Sequence, residues 1–166
     1  NAQAAGAVGV IIFNEGQPGR TELLNGTLGE PTVSIPVVGT TFALGNSLAA
    51  LSNVEVRLKT DTTSETRQTA NVLAETAGGR TDRIVVVGSH LDSVAEGPGI
   101  NDNGSGSAAI LEIAVRMKRL GINPRNKVRF LWFGSEEAGL LGSERYLSTL
   151  TPAQIKNISV MLNFDM

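Results

Sequence analysis

The chain has 166 residues, 41% hydrophobic and 18% charged, with 14 Lys+Arg against 16 Asp+Glu and a net charge of −2. That length holds one full domain or one and a half small ones, and a charged share below the usual ~25% beside an ample apolar share excludes a disordered chain. No basic run marks a nucleic-acid surface, and no apolar stretch reaches the roughly 18–20 residues of a membrane span. The lack of Cys excludes disulfides and thiolate metal ligands and decides nothing between cytosol and exterior.

The chain opens "NAQAAGAVGVIIF", without Met or a signal sequence, and stops at "MLNFDM" on an apolar run. It reads as a piece of a longer protein, so the lack of a signal peptide carries no information on localisation. "AGAVGVIIFN" predicts a buried strand after a small-residue turn, "QPGRTELLNGTLGEPT" a turn-rich connection, and "SIPVVGT" a second strand. "TFALGNSLAAL" predicts a short helix, and "VEVRLKT" alternates as a strand with one exposed face. Residues 1–60 therefore read as one unit, with polar "DTTSETRQT" (61–69) as linker and 70–166 as a second unit.

In the second unit "NVLAET" predicts a strand, "GGRTD" a hairpin or loop, and "RIVVVGS" a buried strand. Over 105–120, Ile110, Ile113, Ala114, Met117 and Leu120 share one helical face, away from Glu112, Arg116 and Arg119. "KVRFLWF" predicts a strand and "GLLGSERYLSTL" a helix. In "TPAQIKN", Thr151 is set to cap, with Pro152 at the first helical position and Gln154 two further on. "ISVMLNF" predicts a last buried strand. Strands alternating with helices, mostly continuous apolar runs, indicate an α/β fold whose largely parallel sheet is covered on both faces.

The chain's single histidine, His90, follows one of these strands; Glu136 and Glu137 follow another, and Asp165 ends the last. In an open parallel sheet all three strand ends lie on one edge, where ligands bind, and Asp102 can reach it from the loop before the 105–120 helix. Each residue has an ordinary reading: a salt-bridged surface histidine, paired acids favouring a helix dipole, an Asx turn at Asp102, a turn former at Asp165. Their shared destination favours a metal site, because His nitrogen and carboxylate oxygen are zinc ligands and clustered like charges need a cation. More carboxylates than one zinc requires point to two metals about 3.5–4 Å apart.

Rival motifs are weaker. "GSGSAA" fits a dinucleotide fingerprint but lies about fourteen residues beyond its strand, where a tight turn is required. A serine triad through His90 lacks its G-x-S-x-G elbow, and Ser105 reads as a helix-entry residue.

The ordered motifs "HLDSV", "GPGINDNGSGSAA", "WFGSEEAGLLGS" and "LNFDM" closely resemble the two-zinc aminopeptidase family of secreted bacterial leucine aminopeptidases, whose relatives include glutamate carboxypeptidase and glutaminyl cyclase. "NAQAAGAVGVIIFN" and "SIPVVGTTFALGNSL" resemble the second half of a protease-associated (PA) domain, a β-rich module inserted in such peptidases. The resemblance implies a three-layer zinc-peptidase sheet over 70–166, its N-terminal half only, preceded by part of a PA domain over 1–60. It implies that His90 and Asp165 bind one zinc, Asp102 bridges two, Glu137 binds the second, Glu136 is the general base and acid, and Asp92 orients His90. It also implies a cis Asp102–Asn103 peptide, secretion, and a peptide or protein substrate with a free N-terminus, hydrolysed by a water bridging two Zn2+. The family's second histidine ligand comes from a segment this sequence does not contain, so the chain alone is expected to be inactive. A carboxypeptidase- or glutaminyl-cyclase-like relative, or a non-catalytic receptor-like module on the same scaffold, is the alternative. Retention of His90, Asp102, Glu136, Glu137 and Asp165 favours the enzyme.

Overall fold

A computed structural model describes residues 2–26, 33–63 and 65–166. The chain divides into two compact units, Asn1–Thr66 and Arg67–Met166.

In the first unit, strand β1 (Val10–Phe13) pairs in parallel with β2 (Val37–Thr40), with Val10 opposite Val37 and Phe13 opposite Thr40. Helix α1 (Phe42–Ala49) begins where the Thr41 hydroxyl accepts the Leu44 N–H at 3.3 Å, an N-cap that fills an otherwise orphan donor. The Phe42 ring packs against Phe13 with centroids 6.5 Å apart, and the helix presents Gly45 to the same ring. A Cβ at Gly45 would fall on the Phe13 ring, so the close approach of helix to strand depends on that glycine. The strand expected over 54–60 does not form a ladder: Leu58 packs over Gly9, while Val54 and Val56 stay about half exposed. Alternation specifies a face, whereas a strand also needs a hydrogen-bonding neighbour, and none is joined to this segment among the described residues. Residues 27–32 of the expected turn-rich connection lie outside the described residues.

The second unit is a four-stranded sheet in the order β3-β5-β4-β6, from β3 (Val72–Glu75), β4 (Arg80–His90), β5 (Asn126–Phe133) and β6 (Ile158–Asn163). β4 runs parallel to both neighbours, with His90 opposite Phe133 and Gly88 opposite Asn163; β3 is antiparallel to β5. "GGRTD" therefore makes no hairpin, because β5 separates β3 from β4, and β4 already begins at Arg80.

Successive residues of β4 and β5 feed opposite faces. Ile84, Val86, Leu131 and Phe133 form one core, against which Tyr146 of α3 (Leu141–Ser148) packs. Val87, Ile110, Phe130 and Trp132 form the other, joined by Ala114 and Met117 of α2 (Gly106–Arg119). Ile110 is fully buried, but Ile113 and Leu120 are exposed, so the α2 stripe is narrower than its sequence pattern. Helix α4 (Pro152–Lys156) carries the expected capping box: the Thr151 hydroxyl accepts the Gln154 N–H at 3.3 Å and Gln154 Oε1 accepts the Thr151 N–H at 2.8 Å. β6 is not buried as its apolar sequence predicts. It forms one border of the sheet, with Val160, Met161 and Leu162 42–46% exposed, because only its β4 side is paired among the described residues.

Candidate metal centre

The parallel pairing of β4 with β5 and β6 brings three C-terminal strand ends to one edge, and the polar residues follow from that. His90 is the last residue of β4 and only 3% exposed. Its Nδ1–H donates to the Asp92 carbonyl at 2.9 Å. Its Nε2 lies 3.1 Å from Asp102 Oδ1 and 3.2 Å from Asp165 Oδ1. The ligand-capable atoms of His90, Asp102 and Asp165 all fall within 4.8 Å of one another.

With Nδ1 committed as donor, neutral His90 turns a lone pair toward two carboxylate oxygens, three acceptors facing one point. A tetrahedral zinc with bonds of about 2.0–2.1 Å separates its ligand atoms by about 3.3 Å. The 3.1 and 3.2 Å from His90 Nε2 match that spacing, and the Asp102 and Asp165 oxygens lie within 4.8 Å of each other, so the donor set fits a small divalent cation in its chemistry and in its two histidine distances.

Glu136 and Glu137 follow β5 through a turn in which Ser135 has φ +57°. Glu137 lies outside the three-residue cluster, but its Oε1 is buried with no hydrogen-bond partner among the described residues, an acceptor still lacking a cation or donor. Glu136 shares with His90 and Asp165 the polar end of a cavity of about 360 Å³, whose remaining wall includes Phe133, Tyr146 and Met161. Burial pushes the Glu136 carboxyl above its ordinary range; the His90 charge opposes this, and Asp165, Glu137 and Asp92 add to it. For His90, burial pulls the imidazole down, but its bond to the Asp92 carbonyl and the charges of Asp165, Glu136 and Asp92 outweigh it, leaving a net rise.

Asp92, expected to orient His90, touches it through its main chain. Its backbone carbonyl, not its carboxylate, takes the closest contact with His90, and the nearer carboxylate oxygen is 3.6 Å from Nδ1. The carboxylate instead accepts two successive backbone amides, Glu136 N–H at 2.9 Å and Glu137 N–H at 3.1 Å. The positive φ at Ser135 turns these two amides toward one anion. One residue thus braces both the histidine and the Glu–Glu turn.

The Asp102–Asn103 peptide bond is cis. Ser105, read as a helix-entry residue, immediately precedes α2, and its hydroxyl donates to the Asn101 carbonyl at 2.7 Å. Two polar contributors, part-buried Ser107 and buried Asn103, escape the sequence reading. Ser107 donates to the His90 carbonyl at 2.6 Å from the first turn of α2, and Asn103 reaches Asp165 Oδ1 at 3.0 Å. The "NDNGSGS" stretch holds them in plain view, but its composition signals a turn and nothing in it signals burial.

Residues 71–166 match the model of peptidase family M28. The chain belongs to that family. Residues 1–48 match the PA domain model. Over 168 residues the chain is 50% identical to the "Aminopeptidase" of Pseudomonas aeruginosa PAO1, covering 100% of this chain and 31% of that protein. It is 42% identical to "Aminopeptidase Y" of Saccharomyces cerevisiae, over 97% of this chain and 30% of the relative. Among solved structures, the aminopeptidase from Aneurinibacillus sp. strain AM-1 matches with TM-score 0.80 and 35% identity, over 99% of this chain and 41% of that one. The zinc aminopeptidase BSAP from Bacillus subtilis matches with TM-score 0.64 and 33% identity, over 99% and 39%. The chain spans about a third of the length of the curated relatives it matches. This family member shares the α/β peptidase fold of those structures, and the His90–Asp102–Asp165 cluster lies within its family-matched segment.

Proposed function

We propose that this chain carries the metal-binding edge of a zinc-dependent aminopeptidase that releases N-terminal residues from peptides or proteins. The observation that carries the reading is the convergence of His90 Nε2 with the Asp102 and Asp165 carboxylates at zinc-ligand spacing, beside Glu136. Supporting it are the zinc named for one structural neighbour and the activity named for the relatives. In this reading 1–60 is part of a PA domain, 61–69 a linker and 70–166 the N-terminal half of the catalytic domain.

His90, Asp102 and Asp165 would hold one zinc; Asp102 and Glu137, with its unpartnered Oε1, would contribute to a second. When bound, the ions supply Lewis acidity, which eases proton loss from water and polarises the scissile carbonyl. Glu136 takes the proton of the attacking water and returns it to the leaving amine nitrogen. Its raised proton affinity suits both halves of that exchange, since a carboxylate closer to neutrality is the stronger base and still a competent acid. Glu136 and Asp165 present negative charge to the free ammonium of the substrate, which restricts attack to the terminal bond. Asp92 fixes Glu136 and Glu137 through their amides, so that one carboxylate serves the proton and its neighbour the cation.

The test is Glu136→Gln in a polypeptide of the relatives' length. Zinc content stays at the unsubstituted level and turnover falls at least the ~10²–10⁴-fold typical of losing a general base. Unimpaired turnover would remove Glu136 from the mechanism. Secretion follows from the family resemblance only, and comparing peptidase activity in culture supernatant and in washed cells of the source organism decides it.

A further inference from the structure

Asn103 plays no part in the chemistry above, yet it is 2% exposed, one of the most deeply buried polar side chains described. Burying an amide costs stability unless its donors and acceptor are met. Here all are met, by three partners on two separate segments. Nδ2–H donates to the Phe164 carbonyl at 2.9 Å, just beyond β6, and to Asp165 Oδ1 at 3.0 Å. Oδ1 accepts the Gly106 N–H at 3.1 Å, at the start of α2. A Cβ at Gly106 would land on Asn103 Oδ1 and on the Phe164 carbonyl, so the helix start is held tight against this junction.

The Asp165 oxygen that takes the Asn103 amide is the one facing His90 Nε2. The Met166 N–H also donates to it at 3.0 Å, but that amide belongs to the same segment and moves with Asp165. Asn103 is bonded directly to Asp102, so its amide ties one carboxylate of the cluster to the segment that carries the other. Without that tie, Asp165 is held only by groups of its own segment, the Met166 N–H and a long 3.4 Å bond from Asn163 Nδ2 to Oδ2, and nothing outside that segment but His90 sets its terminal torsion, a broad and soft well.

We infer that Asn103 is a positioning residue that sets Asp165 and Asp102 in register around His90 and thereby fixes how firmly the cluster takes zinc. The inference rests on the metal reading above. Asn103→Asp isolates it, because aspartate keeps the size and the acceptor for Gly106 but turns an oxygen toward the Phe164 carbonyl and Asp165 Oδ1, where a donor stood.

The experiment is a competition titration of the full chain with Zn2+ against a chromophoric chelator, read beside circular dichroism and urea unfolding of the same zinc-free samples. Asn103→Asp is expected to weaken zinc binding 10–100-fold, the range seen when partners that orient a ligand are lost. Ile110→Val, a buried change on α2 away from the cluster, is expected to lower the unfolding midpoint and leave zinc affinity unchanged. If the unsubstituted chain takes zinc and Asn103→Asp takes it equally well while folded, the positioning role is wrong and the metal reading survives. If the unsubstituted chain takes no zinc, both fall. If Asn103→Asp does not fold, the side-chain amide resonances of Asn103 in the unsubstituted chain carry the decision. They should shift on zinc saturation, as Asp165 Oδ1 gives up electron density; an unmoved pair of signals overturns the inference.

Discussion

Asp92→Asn tests the brace beneath the Glu–Glu turn. The Asp92 carboxylate accepts the amides of Glu136 and Glu137 at 2.9 and 3.1 Å. Each is a charge-assisted hydrogen bond of about 1.5–3 kcal/mol, so the pair contributes roughly 3–6 kcal/mol at most. Asparagine keeps one neutral acceptor, about 1 kcal/mol, and points its NH2 at the second N–H, donor against donor. The difference spans roughly 2–5 kcal/mol before solvent is considered. The Asp92 side chain is 29% exposed, so water competes and the low end, about 2 kcal/mol, is the expectation. With a denaturant slope near 2 kcal/mol/M, the urea midpoint of the full chain falls by about 1 M. Amide resonances record the cause directly, with those of Glu136 and Glu137 moving most. A midpoint within about 0.2 M of the unsubstituted chain, with both resonances in place, would refute the argument, because those amides would then be satisfied without the carboxylate.

Ile110→Ala removes a fully buried side chain from the core beneath α2 and should cost about 2–5 kcal/mol in the same unfolding assay. A loss under 1 kcal/mol would mean that the α2 face is not packed as described. Isothermal titration of the chain with Zn2+ should show at most one firm equivalent, and a parallel assay on an amino-acid anilide no appreciable turnover, because on the proposed two-zinc reading the single histidine of the sequence would serve the first ion and leave the second one ligand short. Two tight equivalents with substantial turnover would require the ligand assignment to be redrawn.

The parts of this structure that the sequence discloses are those governed by local rules. Ile84–Val87 of β4 and Phe130–Phe133 of β5 are continuous apolar runs because both faces there are covered, and Thr151–Gln154 caps α4 with residues three positions apart. His90, Asp102 and Asp165 are foreseeable as a cluster once parallel strands are placed side by side, since topology alone carries their ends to one edge. What escapes depends on partners distant in the chain. Val54–Thr60 alternates like a strand yet joins no ladder among the described residues, and β6 is apolar but lies at a border of the sheet. The Asp92 carboxylate reaches the Glu136 and Glu137 amides because Ser135 takes a positive φ, and serine gives no warning of it. Asn103 is buried only because β6 ends against α2.

The sheet order also sets a timetable. His90 and Asp165 face each other across 75 positions of sequence, and they meet only when β6 docks on β4. At a synthesis rate of about 5–20 residues per second, some 4–15 seconds pass between the emergence of one residue and the other. Throughout that interval the histidine and Asp102 are without their third companion, and the border of β4 that β6 will occupy is open to any other strand. On the proposed metal reading, zinc capture by the nascent polypeptide would therefore be a late event, tied to a long-range parallel pairing that is intrinsically slow. On the same reading, a scarce supply of the ion at that moment would be felt first as a defect of folding yield.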